Sequence, residues 1–373
     1  MSTGYVNSPF SGSFTALKLR YKDYDQSICE HTDFIHMDDK VNVFINFESV
    51  LNRLSLLQDI ENKLLLERDF KIILEAEAVN LCAHYKRFFR QAGLPTRVFL
   101  YYTDLNSTEF SASKYNDEYR SFYLNKYTMN PRFQLLGGSL LKTIIPDIKK
   151  ILEFIPDVHF ISAHNIEGSL VPLIVAESDR TFKNFIITAD MYDTQYQSFD
   201  NMFCTHIIKR MMNTTTVLDN LHKTIEYLFK DSEKNICNSE ILLNPVYYTL
   251  VISTAGSKTR SIDPLKGIGY KTFLKYLATA IQNREITDTT QALESVVKTL
   301  PIDEPEQTVQ NFKCMSLQEQ FNDLTDDMKF SILNQIVNRF DYNSLMELNA
   351  SRYVNYPLML QELTMWGEHN IWR

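Results

Sequence analysis

One stretch of the chain combines small and basic residues in a pattern that suits phosphate chemistry. It runs from Gly256 to Leu277 and reads GSKTRSIDPLKGIGYKTFLKYL. Gly267 and Gly269 lack side chains, so the backbone there can approach a phosphate closely. Free N–H groups at the start of the following helix would face that anion, with Lys266 and Lys271 flanking the turn. The pattern predicts a contact with a phosphate backbone; a plain tight turn between two helices is the alternative.

The composition limits what such a contact can serve. The 373 residues carry a formal net charge of −8, which argues against coating nucleic acid as the main task, because phosphate neutralisation normally needs a basic surface. Five scattered cysteines without a CxxC pair fit reduced thiols better than disulfides or a zinc site. The chain has no run of about 18 apolar residues and no basic and apolar leader. We expect neither a membrane partner nor export through a signal peptide.

The hydrophobic pattern predicts an α/β scaffold beneath these residues. Short continuous apolar runs predict strands buried on both faces, and apolar residues at helical spacing predict helices between them. The predicted strands are residues 41–46, 97–102, 158–162 and 184–188, and the first two predicted helices are residues 48–66 and 68–92. Right-handed crossovers then give a doubly wound parallel sheet, which binds ligands at the carboxyl ends of its strands.

The order of the patterns divides the chain into four parts. The first part is polar and aromatic without a sustained period, and we expect it to dock on a neighbouring subunit or on its own domain. The segment 301–311, PIDEPEQTVQN, reads as a connector. We predict an extended arm at 1–40, an α/β domain at 41–243, a helical hairpin region at 244–300 and a C-terminal helical extension at 301–373.

The glycine-rich stretch resembles the helix-turn-helix hairpin of the flap-endonuclease and phage-type 5′-nuclease family, which has a PIN-like fold. The family pattern is Gly-Asp-x-x-Asp-Asn-Ile-Pro-Gly-x-x-Gly-Ile-Gly-x-Lys-Thr. The residues that fall in register are Ile262, Gly267, Ile268, Gly269, Lys271 and Thr272. The resemblance implies that Lys266, Gly267, Gly269 and Lys271 contact DNA.

Four further segments resemble the family in the same order along the chain. VNVFINFES and RVFLYYTD resemble its first two strands, and SKYNDEYR resembles the segment that meets the substrate, with Arg120 matching well. NIEGSLVPLIVAE resembles the Glu-Ala-Asp-Asp helix, and ITADMYDTQY resembles the strand that ends in Ser/Thr-x-Asp-x-Asp. The resemblance covers roughly residues 41–300. It implies that Asp104, Glu167 and Asp190 are remnants of a metal site.

Most of the acids that the resemblance calls for are absent. The family hydrolyses phosphodiesters with two magnesium ions, which require several carboxylates close together. The residues that stand where the family has acids are Asn46, Ser169, Leu170, Tyr192, Ser257 and Arg260. We therefore expect no catalytic residues, no metal ligands and no cofactor.

An active centre would require two other acids to take the place of the missing metal ligands. Glu48 and Asp193 lie close in sequence to lost positions, and a shift of register would let them substitute. A magnesium-dependent site is then the alternative. Without such substitutes, Arg260 supplies a counter-charge at the site that the resemblance implies. We predict a salt bridge from Arg260 to at least one of Asp104, Glu167 and Asp190, with Asp190 as the expected partner.

The resemblance and its departures favour a non-catalytic role. We expect a catalytically inactive 5′-nuclease-like protein serving as a structural or assembly component. The abundance of Tyr, Phe, Asn and Ile is common in proteins from AT-rich genomes, phages included. We expect a component of a bacteriophage particle, for example in a neck or tail ring near DNA. The expected partners are protein subunits and the DNA backbone, in a virion or the host cytoplasm. The alternatives are an active magnesium-dependent 5′-nuclease of replication or repair, and a non-cleaving DNA-junction binder.

Overall fold

The architecture is an α/β fold in which helices cover a parallel sheet. The computed structural model describes residues 39–47, 67–104, 137–153, 155–164, 166–188, 193, 195–196, 199–206, 265, 268, 270–283, 297–303 and 305–336. The strands are β1 (Lys40–Asn46), β2 (Thr96–Asp104), β3 (Val158–His164), β4 (Phe182–Thr188) and β5 (Met202–His206). The described helices of six or more residues are α1 (Glu67–Gln91), α2 (Gly137–Leu152), α3 (Val171–Ser178), α4 (Tyr270–Gln282), α5 (Pro305–Met315), α6 (Leu317–Asn322) and α7 (Asp326–Leu333).

The five strands form one parallel sheet in the order β3-β2-β1-β4-β5. Strands β2 and β3 therefore lie on one side of β1, and β4 and β5 lie on its other side. The predicted doubly wound sheet is confirmed, and each of the four predicted strands falls within an observed one. The strand β5 was not predicted from the sequence. The order reverses between β1 and β4, and a crevice forms at the carboxyl ends of the strands at such a reversal.

Each face of the sheet has its own hydrophobic core. On the first face, α1 and α2 pack over residues such as Val43, Leu100 and Phe185. On the second face, Phe44 stacks on Phe99 with ring centroids 4.9 Å apart, and α3 packs nearby. Burial on both faces explains why the strands are continuous apolar runs rather than alternating ones. None of the described helices combines the length and apolar character needed to cross a bilayer.

Local signals set the ends of several elements. Helix α1 confirms the helix predicted at 68–92, and Gly93 follows it with a φ of 80°, a left-handed conformation that glycine adopts without strain. The buried Lys86 of α1 bonds to Asp157 and to the carbonyl of Thr96, each at 3.1 Å. These bonds fix α1 to the amino ends of β2 and β3.

The prediction of a connector at 301–311 is wrong. Residues Pro305–Met315 form helix α5, and α6 and α7 follow it. Proline at the first helical position and Glu306 in the first turn are favourable at a helix start, and this signal was missed. The buried residues Met315, Leu317 and Ile332 of this region belong to the core on the second face of the sheet. The described part of the C-terminal extension therefore packs against the sheet.

Candidate functional site

The candidate site lies at the carboxyl end of the sheet, where β1 and β4 run side by side. Asn46 is the last residue of β1, and only 6% of it is exposed. The β1–β4 register pairs Ile45 with Ile187, which places Asn46 next to Thr188, the last residue of β4. The predicted position of Asn46 at the end of the first strand is confirmed. A neutral amide thus occupies the central strand end at the point where the strand order reverses.

The turn after β3 contains the residues that resemble the Glu-Ala-Asp-Asp helix of the family. Glu167 precedes a short 3₁₀ turn, Gly168–Leu170, which leads directly into α3. Glu167 is 1% exposed, so this carboxylate is buried at the sheet edge. The side chain of Leu170 joins the hydrophobic core of the second face, and Ser169 is buried beside it. The two positions where the family resemblance calls for aspartates thus form part of the packed interior.

Gly168 brings the turn unusually close to β2. Its N–H donates to the hydroxyl of Thr103 at 2.9 Å. A Cβ at this position would lie 2.9 Å from Thr103 Oγ1 and 3.1 Å from the Thr103 amide nitrogen, both inside ordinary contact distance. Glycine is therefore the residue that this close approach of two backbones accommodates. The contact fixes the height of Glu167 and Ser169 above the ends of β2 and β3.

The loop after β4 brings Asp193 to the same edge. Asp193 is fully buried, and its carboxylate accepts a hydrogen bond of 2.5 Å from the hydroxyl of Thr188. Asp193 is one of the two acids predicted as substitute metal ligands, and the structure does place it at the carboxyl edge. The structure gives Asp193 a role in holding the loop, because its bond to Thr188 ties residue 193 to the end of β4.

Tyr196 links the two loops beneath this edge, and Tyr101 of β2 interacts with it. The Tyr196 hydroxyl donates to the backbone carbonyl of Ser169. Burial raises the pKa of the Tyr196 phenol well above its usual value, and the neighbouring Tyr101 and Asp193 raise it further. A phenol held neutral in this way serves as a hydrogen-bond donor rather than as a base. Sequence reasoning missed Tyr101 and Tyr196, because neither carries a chemical signal until the fold brings them together.

The described side chains do not fit a two-metal centre. Magnesium binds carboxylate oxygens, and two-metal hydrolysis needs several of them around both ions. Among the described residues, no group of three or more His, Cys, Asp or Glu side chains is placed to hold a metal ion. Asn46 is neutral, Leu170 lies in the core, and Asp193 is bonded to Thr188. The described side chains alone therefore supply no ligand set for two-metal hydrolysis.

Several predicted site residues lie outside the described part of the chain. Asp104 ends β2 and is paired with His164 in the register, and Lys271 lies in the first turn of α4, but the described residues do not include their side chains. The predicted salt bridge of Arg260 and the substitution by Glu48 concern residues that are not described. The same holds for Arg120, Asp190, Tyr192, Ser257, Lys266, Gly267 and Gly269.

The second half of the predicted hairpin is present. The Ile268 N–H donates to the Leu265 carbonyl at 3.1 Å, which marks a turn just before α4. Helix α4 begins at Tyr270, immediately after the glycine pair, and has no acidic residue in its first turn. Phe273 and Leu277 are fully buried, and Lys275 is exposed. The predicted helix start after Gly269 is confirmed, and an anion would meet no acidic side chain in that first turn.

Comparisons with known proteins give likenesses in structure. No protein-family model and no curated protein matches the chain. A mutant of the T5 5′-exonuclease is similar over 80% of this chain and 100% of its own, at 11% identity and a TM-score of 0.41. The T5 5′-exonuclease with bound zinc is similar over 79% of this chain and 98% of its own, at 10% identity and a TM-score of 0.44.

A bacteriophage T5 flap endonuclease, described as a pseudo-enzyme–product complex with DNA and metal ions, is similar over 79% of this chain and 99% of its own. Its identity is 12% and its TM-score is 0.45. These values describe a likeness in the course of the chain, and the fold assignment depends on the parallel strand order and the two-sided core. The protein has a parallel α/β fold similar in its course to the phage T5 5′-nucleases.

Proposed function

We propose that this chain is a 5′-nuclease-like protein that does not hydrolyse nucleic acid and serves as a component of an assembly beside DNA. The observation that carries the proposal is Asn46, a buried amide at the end of the central strand. This strand end adjoins the reversal of strand order, where a parallel sheet places its ligand. An amide there brings no negative charge to a pair of divalent cations.

The turn after β3 supports the same proposal. Leu170 offers no ligand atom and packs in the core, and the backbone carbonyl of Ser169 is engaged by Tyr196. Aspartates in place of Ser169 and Leu170 would have to be charged within the protein interior, or this turn would have to move out of the interior. Electrostatic stabilisation by metal ions supplies much of the rate in phosphodiester hydrolysis, so losing several ligands removes most of the catalytic power.

A cleavage assay tests the proposal. We expect the purified protein to leave flap, single-stranded and nicked duplex DNA intact in the presence of Mg²⁺ or Mn²⁺. The matched control is the double variant Glu167→Gln and Asp193→Asn, which removes two carboxylates at the candidate edge at nearly constant volume. Because both proteins are purified identically, a trace nuclease would cut equally in both preparations. Cleavage that is metal-dependent and faster in the natural protein than in the double variant would establish the active nuclease instead.

The hairpin favours a second candidate function, binding of a DNA junction without cleavage. Helix α4 starts directly after the glycine pair, without acidic residues in its first turn and with Lys275 exposed on the next. The N–H groups of a helix start and nearby lysines are suited to phosphate. This function is compatible with the acidic total charge, because a local contact needs only a local basic surface.

Substitution of one hairpin lysine tests this second candidate. We expect Lys271→Ala to weaken DNA binding about equally for all sequences and to reduce the salt dependence by about one phosphate contact. Fluorescence anisotropy with a labelled junction, repeated at several salt concentrations, measures both quantities. Lys150→Ala, which removes an exposed lysine at the end of α2, is the control with the same loss of charge. Equal binding by both variants and the natural protein would exclude the hairpin as a DNA contact.

An assembly role predicts self-association or association with partner subunits. The chain's richness in Tyr, Phe, Asn and Ile supports a phage protein, and its acidic charge supports an assembly role. The neck or tail ring is the setting we propose for it. We expect deletion of residues 2–35 to lower the mass of the assembly, because the aromatic residues of this arm suit an interface. Light scattering of the full-length and shortened chains measures that mass. An unchanged mass would contradict docking of the arm on a neighbour.

A further inference from the structure

Helices α5, α6 and α7 are attached to the sheet by unusually specific polar contacts. The buried Gln195, in the loop after β4, donates to the Met315 carbonyl at 2.9 Å and accepts from the Leu317 N–H at 3.0 Å. One side-chain amide therefore satisfies both backbone groups at the junction between α5 and α6. Such a two-bond contact fixes both position and orientation. Gln195 thus ties the C-terminal helices to the loop that carries Asp193.

The other end of the same segment is attached in the same way. The Gln335 side chain accepts from the Ser162 N–H and donates to the Ser162 carbonyl, both at 2.9 Å. Ser162 lies in β3, which is an outer strand of the five-stranded sheet. Between the two glutamines, Lys329 forms a 2.8 Å salt bridge with Glu177 at the end of α3. The segment is therefore held at three separate places.

The candidate edge beneath these helices is closed to solvent. Helix α6 packs on the 3₁₀ turn after β3, and Leu317 shares the core cluster of Leu170. Six described polar residues at this edge are at most 6% exposed, and they are Asn46, Glu167, Ser169, Thr188, Asp193 and Gln195. His164, at the end of the outer strand β3, is exposed. A hydrated cation or a phosphate cannot reach Glu167 or Asp193 in this arrangement. Access to these carboxylates requires a covering element to move away.

We propose that residues 305–336 form a cover for the carboxyl edge of the sheet and that Gln195 is the latch that holds the cover closed. The cover contacts both loops of the edge, the turn after β3 and the loop after β4, so its release frees both together. Gln195 and Asp193 are two residues apart, which links the latch directly to the loop tied to Thr188. The inference goes beyond the proposed function, since such a cover regulates access whether the edge cleaves, binds or only assembles.

Hydrogen exchange followed by mass spectrometry tests the cover in the full-length chain. We expect Gln195→Ala to raise amide exchange about tenfold in 305–336 and in the edge loops at 166–170 and 193–196, as expected for loss of two buried hydrogen bonds. Exchange in α1, on the opposite face, should stay unchanged. Gln335→Ala should produce the same pattern from the far end, including faster exchange around Gln195, because the cover opens as one unit.

Two further variants separate a latch from a general loss of stability. Gln195→Glu keeps the shape and the acceptor but loses the donor to Met315, so it should open the same segments. Gln318→Ala removes an exposed glutamine of α6 whose side chain donates to Asn322 of the same helix, and it should leave exchange at the edge unchanged. Exchange that stays unchanged in the Gln195 variants, or that rises equally in α1, would overturn the proposal, because no separate cover would then exist.

Discussion

Replacing Asn46 with aspartate should destabilise the protein at neutral pH by about 3 kcal/mol, because it introduces a negative charge into a buried position. Asn46 is 6% exposed and lies beside Thr188, whose hydroxyl already donates to the buried Asp193. Burial and the nearby carboxylate would both raise the pKa of the new acid. The variant introduces the residue type that the family resemblance calls for, so its effect reports directly on whether this position tolerates a carboxylate.

The destabilisation by Asn46→Asp should depend on pH in a defined direction. An acid with a raised folded-state pKa is neutral in both states below about pH 3.9, the unfolded value, so the variant should lose little stability there. The deficit should grow as pH rises above that value, until the folded acid itself ionises. Urea denaturation of the variant and the natural protein between about pH 3.5 and 8 measures this difference.

Magnesium makes the same experiment decisive for the proposed function. If the edge no longer forms a metal centre, Mg²⁺ should not restore the stability that Asn46→Asp loses. Asn201→Asp is the matched control, since Asn201 is exposed after β4, with a φ of 57° that aspartate tolerates, and this change should cost little. Recovery of stability by Mg²⁺ in Asn46→Asp alone would mean that one substitution separates this edge from a working cation site, contrary to the proposal.

Four strands were predictable because the apolar residues within each strand's own sequence are enough to indicate it. The strands at 41–46 and 184–188 are buried on both faces, so consecutive apolar residues occur in each, at 43–45 and at 185–187. Strand β5, MFCTH, has only a short apolar part and two polar residues, and it lies at the other outer edge of the sheet. Pairing with β4 stabilises it, and that partner is not visible in its own five residues.

The candidate site was predictable only where its residues end a strand. Asn46 and Glu167 could be placed at the carboxyl edge because strand ends and the family resemblance locate them. Tyr196, Gln195 and Gln335 gave no signal, since their partners lie 27, 120 and 173 residues away in sequence. Such contacts exist only after the sheet has brought distant loops together. This is why the packing of 305–336 against the sheet was not predicted, although its helices have local start signals.

Lowering the pH from about 7 to 4 should remove about 3 kcal/mol of stability through His159 alone. His159 of β3 is 5% exposed and stacks on Phe99 with ring centroids 5.1 Å apart. The pKa of His159 is lowered to about 4, chiefly by burial; Asp157 acts in the opposite direction, and Arg97 and Lys86 contribute to the lowering. The folded protein therefore holds this imidazole neutral at a pH where the unfolded chain protonates it.

The sign of the effect follows from that difference in proton binding. Above about pH 6.5 both states are neutral at this residue and its full contribution is present. Between about pH 6.5 and 4 the unfolded state binds a proton that the folded state does not, so stability falls by about 1.4 kcal/mol per pH unit. Below about pH 4 the folded imidazole also protonates, and the contribution to the slope ends.

Substitution of His159 isolates this contribution. His159→Phe keeps an aromatic ring against Phe99 and removes the ionisable group. From pH 7 to pH 4 the natural protein should therefore lose about 3 kcal/mol of unfolding free energy relative to the variant. His84→Phe, at a half-buried histidine of α1, is the matched control and should leave the steep loss between pH 6.5 and 4 in place. Denaturant titrations at half-unit pH steps give the curves. Parallel curves for His159→Phe and the natural protein would show that the imidazole is protonated equally in both states, and that burial in β3 does not keep it neutral.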